Sequence, residues 1–366
     1  MQIELPISKS IANRLLILQA IHGDGLLAVS ADMPDDVQIL HRALTDINRI
    51  NLGNCGTAMR FLTAYCAQLD GQTTILDGVE RMHHRPIGQL VEALREIGAQ
   101  IEYLGEEGFP PLRIKGCALD KHRIVRIDNP LSTQFISALM LIGANVQTNS
   151  TSPYINITRE IIDQYSHHFK ILNSKFIIEK DWSSAAFWYE HVALHGGEIH
   201  LSGLFRDSLQ GDKVVADIFT HLGVQTQYTT EGVTIISTGV ADLQRSDLQG
   251  IVARSTAQRS AEETIRNSKF VIQNFSACPD LYPAVALTCE RLGITLDATG
   301  TESLSIKESD RLRAVREHLT DHDHRMAMAL LVAGYPVDDT DCIAKSYPRF
   351  LEQWQAIQTS SPENLR

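Results

Sequence analysis

The sequence predicts an α/β protein built from two similar domains. A chain of 366 residues with 43% hydrophobic residues is longer than one ordinary core can hold. Residues 88–116 and 211–239 also share one order of signals: apolar residues at helical spacing, a terminating glycine (Gly98, Gly223), and two alternating segments joined by an acidic residue and a glycine. Chance similarity of two common α/β units is the alternative, but one copy in each half favours duplication.

The junction between the two halves is expected close to residue 180. Asp181 or Ser183 caps the apolar run AAFWYEHVAL, which predicts a helix start there. The span 242–268 is polar and weakly periodic, and we expect it to be a surface excursion.

Composition excludes several classes of protein. A formal charge of -11 and a pI near 5.7 argue against a nucleic-acid or anionic-membrane binder, which needs a basic face. The 6 cysteines contain no C-x-x-C pair, so neither a zinc site nor a disulfide framework is indicated. No stretch approaches the roughly 20 apolar residues of a membrane helix, and no signal-peptide pattern is seen. We therefore expect a soluble cytoplasmic protein.

The most informative local feature is a set of cations at predicted helix starts. A cation in the first turn of a helix is disfavoured by about 0.3–1 kcal/mol unless an anion lies beside it. Taken singly, each cluster could be a solvated helix end or an ordinary turn. Four clusters in an acidic chain predict a site for ligands that carry a phosphate and a carboxylate. They are Lys9, Ser10 and Arg14 at a helix over 11–21; Thr57 and Arg60 beside the glycine-rich segment 53–62; Lys307 and Arg311 at the start of the helix in IKESDRLRAVREHL; and His324 and Arg325 behind an expected Asp323 cap.

Two carboxylates near these cations are candidates for proton transfer. Glu308 lies between Lys307 and Arg311, and Asp280 precedes an apolar helix, for which it could instead be a cap. A carboxylate among cations stays ionised and can act as a base, whereas a shielded one can keep its proton, and the sequence leaves both assignments open. The run 321–324 alternates Asp and His at a helix start, so its side chains cannot converge on one metal ion.

A series of motifs along nearly the whole chain resembles the 5-enolpyruvylshikimate-3-phosphate synthase family of enolpyruvyl transferases. The order of the motifs, more than any one of them, carries the resemblance. They are SKSIANR (8–14), NCGTAMRFLTA (54–64), RMHHRPIGQLVEALREIGA (81–99), STQFISAL (132–139), PYINIT (153–158), DWSSAAFW (181–188), LQGD (209–212), CPD (278–280), IKESDRL (306–312), DHRMAMA (323–329) and CIAKSYPRF (342–350).

The resemblance implies an inside-out α/β barrel fold. Each of two similar domains would consist of three repeated helix-and-sheet units, with the active site in the cleft between the domains. The first domain would be residues 7–180, mainly on the shikimate 3-phosphate side, and the second residues 1–6 and 181–366. The family is typically monomeric and belongs to chorismate and aromatic amino acid biosynthesis in the shikimate pathway.

The reaction implied is transfer of the enolpyruvyl group of phosphoenolpyruvate to the 5-hydroxyl of shikimate 3-phosphate. It proceeds by addition and elimination through a tetrahedral intermediate and needs no metal or organic cofactor. The partners would be these two small molecules, with no nucleic acid and no membrane.

The resemblance also transfers ligand and catalytic roles to individual residues, of which Arg85 and Lys345 are added by the resemblance alone. The catalytic residues would be Lys9, Asp280 and Glu308. Shikimate 3-phosphate would be bound by Lys9, Ser10, Arg14, Ser132, Thr133, Gln134, Tyr154, Asp280 and Lys307. Phosphoenolpyruvate would be bound by Lys9, Gly56, Arg85, Gln134, Arg311, Arg325 and Lys345.

The chain departs from the family in several places. Segments near 150, 166–176 and 319–323 are shorter than usual, and lost strands would leave unpaired sheet edges. Ser152 stands where a basic residue usually precedes Pro153, which puts Thr151 and Ser152 in doubt as phosphate ligands.

Two alternative functions follow from these patterns. UDP-N-acetylglucosamine enolpyruvyl transferases share the fold and chemistry, but they typically have Lys-Asn in place of Lys9-Ser10 and lack the STQF and DHRMAM motifs. A non-catalytic anion-binding relative, inactive because of the shortened segments, is the second alternative.

Overall fold

The computed structural model describes residues 1–166, 178–239, 269–272 and 274–360. The chain divides into two units, named here by their position along the sequence. The inner unit is the middle stretch, Ile7–Ile178, and the outer unit consists of the flanking stretches Met1–Pro6 and Glu179–Arg366. The assignment of residues 7–180 and of 1–6 with 181–366 as functional domains stays a prediction. The predicted surface excursion and most of the shortened segment 166–176 lie outside the described residues.

The inner unit contains six helices and six strands in its described part. They are preceded in the chain by strand β1 (Gln2–Ile3), which belongs to the outer unit. In chain order the elements of the inner unit are α1 (Lys9–His22), α2 (Asp35–Thr45), β2 (Arg49–Asn51), α3 (Gly56–Ala67), β3 (Thr73–Asp77), α4 (Gly88–Glu96), β4 (Gln100–Tyr103), β5 (Leu112–Lys115), β6 (Ile124–Arg126), α5 (Thr133–Leu141), β7 (Asn145–Gln147) and α6 (Pro153–Gln164).

The outer unit has a matching set of elements. They are α7 (Trp182–His195), β8 (Glu198–Ser202), α8 (Val215–Thr220), β9 (Val224–Tyr228), β10 (Gly232–Ser237), β11 (Lys269–Ile272), α9 (Tyr282–Leu292), β12 (Thr295–Ala298), α10 (Arg311–Glu317), α11 (His324–Val332) and α12 (Phe350–Ser360).

The two units share one sheet topology. The inner unit has a four-stranded sheet in the order β2-β3-β5-β4, and the outer unit has one in the order β1-β8-β10-β9. In each, the first pair is parallel and the next two pairs are antiparallel. Each unit also has a parallel two-stranded sheet, β6-β7 or β11-β12. The predicted α/β class with two similarly built halves is confirmed.

The segments predicted to be copies form corresponding elements. In the inner unit α4 leads through Gly98, with φ of 102°, to the hairpin β4-β5. In the outer unit α8 leads through Gly223, with φ of 83°, to the hairpin β9-β10. A left-handed backbone conformation after a helix favours glycine, because glycine has no Cβ atom. The glycine after each helix is therefore the feature from which the sequence predicted the helix end.

Helices form the interior of each unit, and sheet faces form much of its surface. Helix α3 is buried at every residue except Thr57, and α7 is buried from Trp182 to Val192. A helix that is apolar on all sides needs neighbours on all sides. Strands β3, β5 and β8 alternate between buried and less buried residues, which is typical of a sheet with one face toward solvent. This arrangement places helix ends, rather than sheet ends, where the predicted site residues lie.

The shortened connection between α10 and α11 has unusual backbone geometry. His318, Asp321 and His322 have φ of 52°, 47° and 55°. Non-glycine residues seldom occupy this left-handed region. The short connector therefore turns within very few residues at some conformational cost.

Candidate active site

The predicted site residues form two groups, one in each unit. The inner group lies at the starts of α1, α3, α5 and α6, together with a loop arginine. The outer group lies at the starts of α10 and α11 and in the loops that precede α9, α10 and α12. The inner group is Lys9, Ser10, Arg14, Gly56, Arg85, Ser132, Thr133, Gln134 and Tyr154; the outer group is Asp280, Lys307, Glu308, Arg311, Arg325 and Lys345.

Arg14 joins three helices through neutral hydrogen-bond acceptors. Its Nε donates to Thr158 Oγ1 at 2.7 Å and its Nη1 to Ser10 O at 2.7 Å. Its Nη2 donates to Ser137 Oγ at 3.1 Å and to Tyr154 O at 3.2 Å. The side chain is only 2% exposed, and burial lowers the pKa of Arg14 to about 10. A buried cation whose hydrogen-bond acceptors in the described part of the chain are all neutral is well suited to an anionic ligand.

Lys9, the first residue of α1, has a carboxylate partner. Its Nζ donates to Asp36 Oδ2 at 2.9 Å, and both side chains are largely buried. Asp36 lies in the first turn of α2, where a negative charge is favoured by the helix dipole. The ion pair fixes the position of the Lys9 ammonium group.

Gln134 is held from both ends of its amide group. Arg60 Nη1 donates to Gln134 Oε1 at 3.0 Å, and Gln134 Nε2 donates to Thr57 Oγ1 at 2.9 Å. The Arg60 guanidinium group also lies over the aromatic ring of Phe135, with its Cζ 5.6 Å from the ring centroid. These contacts connect the start of α5 with the start of α3 and fix the orientation of the Gln134 amide.

Gly56 allows two guanidinium groups to approach the start of α3. A Cβ atom at this position would lie 2.5 Å from Arg60 Nη1 and 2.5 Å from Arg85 Cζ. Arg85 is further held by donation from its Nη1 to Asn54 O at 3.2 Å. Two cations at one helix N-terminus repel each other and the helix dipole, which an anion would relieve.

Two serines cap the other helices of the inner group. Ser132 Oγ accepts from Gln134 N at 3.3 Å, immediately before Thr133 begins α5. Ser152 Oγ accepts from Tyr154 N at 3.4 Å at the start of α6. Ser152 therefore acts as a helix cap at the position where the resemblance led us to expect a basic residue.

Arg311 is the centre of the outer group. Its Nε donates to Asp323 Oδ2 at 2.8 Å, its Nη1 to Asp280 Oδ1 at 2.8 Å, and its Nη2 to Glu308 Oε2 at 3.2 Å. The side chain has 0% exposure. Burial acts to lower the pKa of Arg311, but Asp323, Asp280 and Glu308 together raise it above its ordinary value. Arg311 therefore stays charged and orients three carboxylates.

Asp280 bridges two buried arginines. Arg325 Nη2 donates to Asp280 Oδ2 at 2.8 Å, while Arg311 binds the other oxygen. Burial acts to raise the pKa of Asp280, but Arg325, Lys307 and Arg311 hold it well below its ordinary value. Arg325 Nη1 is buried and has no hydrogen-bond partner within the described ranges. One N–H pair of this guanidinium group is thus left for a ligand.

Two expectations for the outer group are corrected. Asp280 is not a helix cap, because α9 begins at Tyr282 with Leu281 before it. Lys307 does not lie in the first turn of a helix, because α10 begins at Arg311 behind the cap Asp310. The Asp310 side chain accepts a hydrogen bond from Arg313 N and sets the start of α10 at Arg311.

Other expectations are confirmed. Asp181 caps α7 by accepting from Ser184 N at 3.0 Å, and Asp323 caps α11 by accepting from Arg325 N at 2.9 Å. Glu308 lies among cations, since its Oε1 accepts from Lys345 Nζ at 3.1 Å and its Oε2 from Arg311.

Three residues that support the site were not singled out from the sequence. They are buried polar residues whose partners are distant along the chain, so no local pattern marks them. They are Asp36, which binds Lys9, and Ser137 and Thr158, which bind Arg14.

Two further observations concern metals and membranes. Among the described residues, no group of three or more His, Cys, Asp and Glu side chains is arranged to hold a metal ion. None of the described helices has both the length and the apolar character needed to cross a bilayer.

Comparisons of this chain with known proteins agree on one family. The family model described as EPSP synthase (3-phosphoshikimate 1-carboxyvinyltransferase) matches residues 35–321 and 317–354. A 3-phosphoshikimate 1-carboxyvinyltransferase of Bacteroides fragilis strain YCH46 is 36% identical over 409 residues, covering 95% of this chain and 93% of the relative. One of Colwellia psychrerythraea is 30% identical, covering 96% and 95%.

A solved structure gives the same result for the fold. EPSP synthase from Acinetobacter baumannii has a TM-score of 0.65 and 18% identity, covering 97% of this chain and 95% of that chain. The alignment of 409 positions with the Bacteroides relative exceeds the 366 residues of the chain, so that relative has residues without a counterpart here. The chain belongs to the EPSP synthase (3-phosphoshikimate 1-carboxyvinyltransferase) family.

Proposed function

We propose that this chain transfers the enolpyruvyl group of phosphoenolpyruvate to the 5-hydroxyl of shikimate 3-phosphate. The products are 5-enolpyruvylshikimate 3-phosphate and phosphate, a step of aromatic amino acid biosynthesis. The observation that carries the proposal is Arg14, a buried cation with only neutral acceptors among the described residues, at the starts of helices that also supply Ser10 and Tyr154. A phosphomonoester of about −1.5 to −2 charge is the kind of ligand that such a position favours.

The chemistry consists of an addition followed by an elimination. In the addition, the 5-oxygen forms a bond to C2 of phosphoenolpyruvate, its proton leaves to a base, and C3 gains a proton. In the elimination, C3 loses a proton and the bond between C2 and the phosphate oxygen breaks, which releases phosphate. Atoms and charge balance without an oxidant or a metal, so the protein has to move protons and stabilise charge.

Two carboxylates of the outer unit are assigned to these protons. Asp280 is assigned to the proton of the 5-hydroxyl, because its pKa is held low and it is ionised at working pH. Glu308 is assigned to the proton at C3, with Lys345 and Arg311 orienting its two oxygens. Lys9, fixed by Asp36, is assigned to the transferring centre.

The remaining cations are assigned to the two anionic substrates. In the inner unit, shikimate 3-phosphate is assigned to Arg14, Ser10, Ser132, Thr133, Gln134 and Tyr154, and phosphoenolpyruvate to Gly56 and Arg85. In the outer unit, Arg311, Arg325 and Lys345 are assigned to phosphoenolpyruvate, and Lys307 with Asp280 to shikimate 3-phosphate. The buried Nη1 of Arg325 supports this, because an N–H without a partner gains most from a charged acceptor.

The monomeric state and the cytoplasmic location expected from the sequence remain part of the proposal. Size-exclusion chromatography with light scattering would test the first, and fractionation of producing cells the second. The sugar-nucleotide alternative is not favoured by the family match.

The direct test is phosphate release from the purified chain. We expect release that requires both phosphoenolpyruvate and shikimate 3-phosphate. Release only with UDP-N-acetylglucosamine would identify the sister activity. Binding of shikimate 3-phosphate without any release would identify the non-catalytic relative.

The role of Glu308 has its own test. Glu308→Gln keeps the size and polarity of the side chain but removes the exchangeable acid proton, so turnover should fall by about 100-fold or more while substrate binding changes little. Kinetic constants and a binding isotherm for shikimate 3-phosphate measure the two effects separately. Equal losses of turnover and affinity would reject the proton-transfer role.

A further inference from the structure

The aromatic ring of Phe61 contacts the guanidinium group of Arg14. Phe61 lies on α3 and is 1% exposed, and Arg14 Cζ lies over its ring, 5.5 Å from the centroid. The face of an aromatic ring carries partial negative charge, so it attracts a cation within about 6 Å, most strongly where water is absent. Phe61 thus contacts the buried cation that is assigned to shikimate 3-phosphate, although the proposed reaction gives the ring itself no part.

The ring adds a fourth helix to the surroundings of Arg14. The hydrogen bonds of Arg14 end on oxygen atoms of α1, α5 and α6, and Phe61 belongs to α3. A guanidinium group directs its N–H bonds outward in its own plane, and a ring binds the charge without accepting any of those bonds in the way an oxygen does. The contact with Phe61 therefore restrains Arg14 in addition to its hydrogen bonds and does not replace one of them.

A ring stabilises a buried arginine without neutralising it. Arg311 of the outer unit is stabilised by three carboxylates, whose negative charges cancel its own and would compete with an anionic ligand. An aromatic ring has no net charge, so it offsets part of the cost of burying Arg14 and leaves the positive charge in place. The side chain of Arg14 is therefore held in a form that still attracts a phosphate group.

The same arrangement occurs one residue earlier on α3. Arg60 Cζ lies over the ring of Phe135, 5.6 Å from its centroid, and Arg60 Nη1 donates to the neighbouring Gln134 Oε1 at 3.0 Å. Arg60 is 7% exposed and Phe135 is fully buried. Helix α3 thus presents a ring to an arginine of α1 and an arginine to a ring of α5. The use of a phenylalanine ring as the partner of a buried arginine is repeated within the inner unit.

We propose that Phe61 is a positioning residue whose ring face holds the guanidinium group of Arg14 ready for the phosphate of shikimate 3-phosphate. The inference rests on the proposed function, because it concerns the binding of that substrate. A ligand that finds its cation already ordered does not have to restore that order when it binds, so a weaker attraction by the ring should lower affinity. The proton transfers are assigned to carboxylates of the outer unit, so turnover at saturating substrate should change little.

The test weakens the negative charge of the ring face while keeping the ring. Phenylalanine carrying one, two or three ring fluorines at position 61 keeps nearly the same shape but attracts a cation progressively less. Affinity for shikimate 3-phosphate should fall stepwise, by about 10-fold with three fluorines, with kcat within about two-fold of the wild type. Calorimetric titration measures the affinity and steady-state kinetics measure kcat. The same series at Phe219, a buried ring of the outer unit that packs against Tyr189, is the matched control and should leave the affinity unchanged.

A second variant decides whether the ring acts through Arg14. In a chain that carries Arg14→Met, the fluorines at position 61 should no longer affect affinity, because the cation that they influence is gone. The same stepwise loss in that chain would overturn the inference. An affinity that is equal with no fluorine and with three would also overturn it. If the unfolding midpoint from circular dichroism falls along such a series, the ring has a merely structural role.

Binding and phosphate release together separate this inference from the proposed function. Normal release with an affinity that does not depend on the fluorines overturns the role of Phe61 alone. A stepwise loss of affinity in a chain that releases no phosphate with either acceptor overturns the proposed reaction and supports the role of Phe61 in binding. A wild-type chain that does not bind shikimate 3-phosphate overturns both.

Discussion

The two units hold their buried arginines in opposite ways. In the inner unit, Arg14 is surrounded by hydroxyl and carbonyl oxygens, and Arg60 binds the amide oxygen of Gln134. In the outer unit, Arg311 binds three carboxylates and Arg325 binds one of the same three. Arg14 and Arg60 are thus positioned by neutral groups, whereas Arg311 and Arg325 are positioned by carboxylates.

This difference predicts different consequences for stability and for binding. Removing one member of a buried ion pair leaves an uncompensated charge inside the protein, so the outer unit should depend on its arginines for folding. Removing a cation that has only neutral partners leaves no such charge, so the inner unit should depend on its arginines mainly for ligand binding. The three tryptophans, Trp182, Trp188 and Trp354, all lie in the outer unit, so their fluorescence reports that unit alone.

The largest expected effect is that of Arg311→Ala on the outer unit. The substitution leaves Asp323, which has 0% exposure, without its cation, and should lower the free energy of unfolding by about 3–5 kcal/mol. Urea unfolding followed by tryptophan fluorescence measures it. Arg313→Ala, on the exposed side of the same helix, should leave the midpoint unchanged. Similar midpoints for both variants would contradict the charge-based role of Arg311.

Arg14→Met should affect ligand binding more than folding. Charge-assisted hydrogen bonds are worth about 1.5–3 kcal/mol, so KM for shikimate 3-phosphate should rise by about 10- to 150-fold. Steady-state kinetics measure this, and circular dichroism follows unfolding of the whole chain. Arg113→Met, an exposed strand residue, is the control. Loss of stability equal to that of Arg311→Ala, with KM unchanged, would remove the distinction between the units.

Gly56→Ala should have a smaller and more selective effect. The added Cβ would press on Arg60 and Arg85, whose flexible ends can move, so KM for phosphoenolpyruvate should rise by about 10-fold while KM for shikimate 3-phosphate stays close to normal. Gly25→Ala, whose Cβ would meet nothing within 4 Å, is the matched control. Parallel changes in both KM values would indicate general damage to the inner unit.

The smallest effect concerns acid stability. Because the pKa of Asp280 is held well below its ordinary value of 3.8, its stabilising contribution is complete above that value and is lost as the pH falls through the lower folded-state pKa. The outer unit should therefore lose stability below about pH 4, and Asp280→Asn should weaken this dependence. Tryptophan fluorescence during urea unfolding at several acid pH values tests it. An acid dependence that is the same in the variant would exclude Asp280 as its source.

Local patterns in the sequence predicted the elements better than the contacts. Gly98, Gly223, Asp181 and Asp323 have signals within a few residues of the helix ends that they define, and the structure confirms them. The start of α10 was predicted too early, because Asp310 competes as a cap with the residues before it.

The pairing of site residues could not be predicted, for a physical reason. Lys9 with Asp36 and Arg14 with Thr158 come together only when helices pack, and each partner alone resembles an ordinary surface or cap residue. The motif series supplied the site residues, but it did not reveal which of them share a carboxylate.

Strand β1 has a consequence for the synthesis of the protein on the ribosome. Gln2 pairs with His200, so β1 finds its partner only after the whole inner unit, which separates the two in sequence, has been made. At about 5–20 residues per second, the delay is roughly 10–40 s. During that time Ile3 and Leu5, which end up 1% exposed, have no core to enter. The nascent chain therefore carries exposed apolar residues ahead of the inner unit, and slow folding of that unit would prolong their exposure to chaperones and to aggregation.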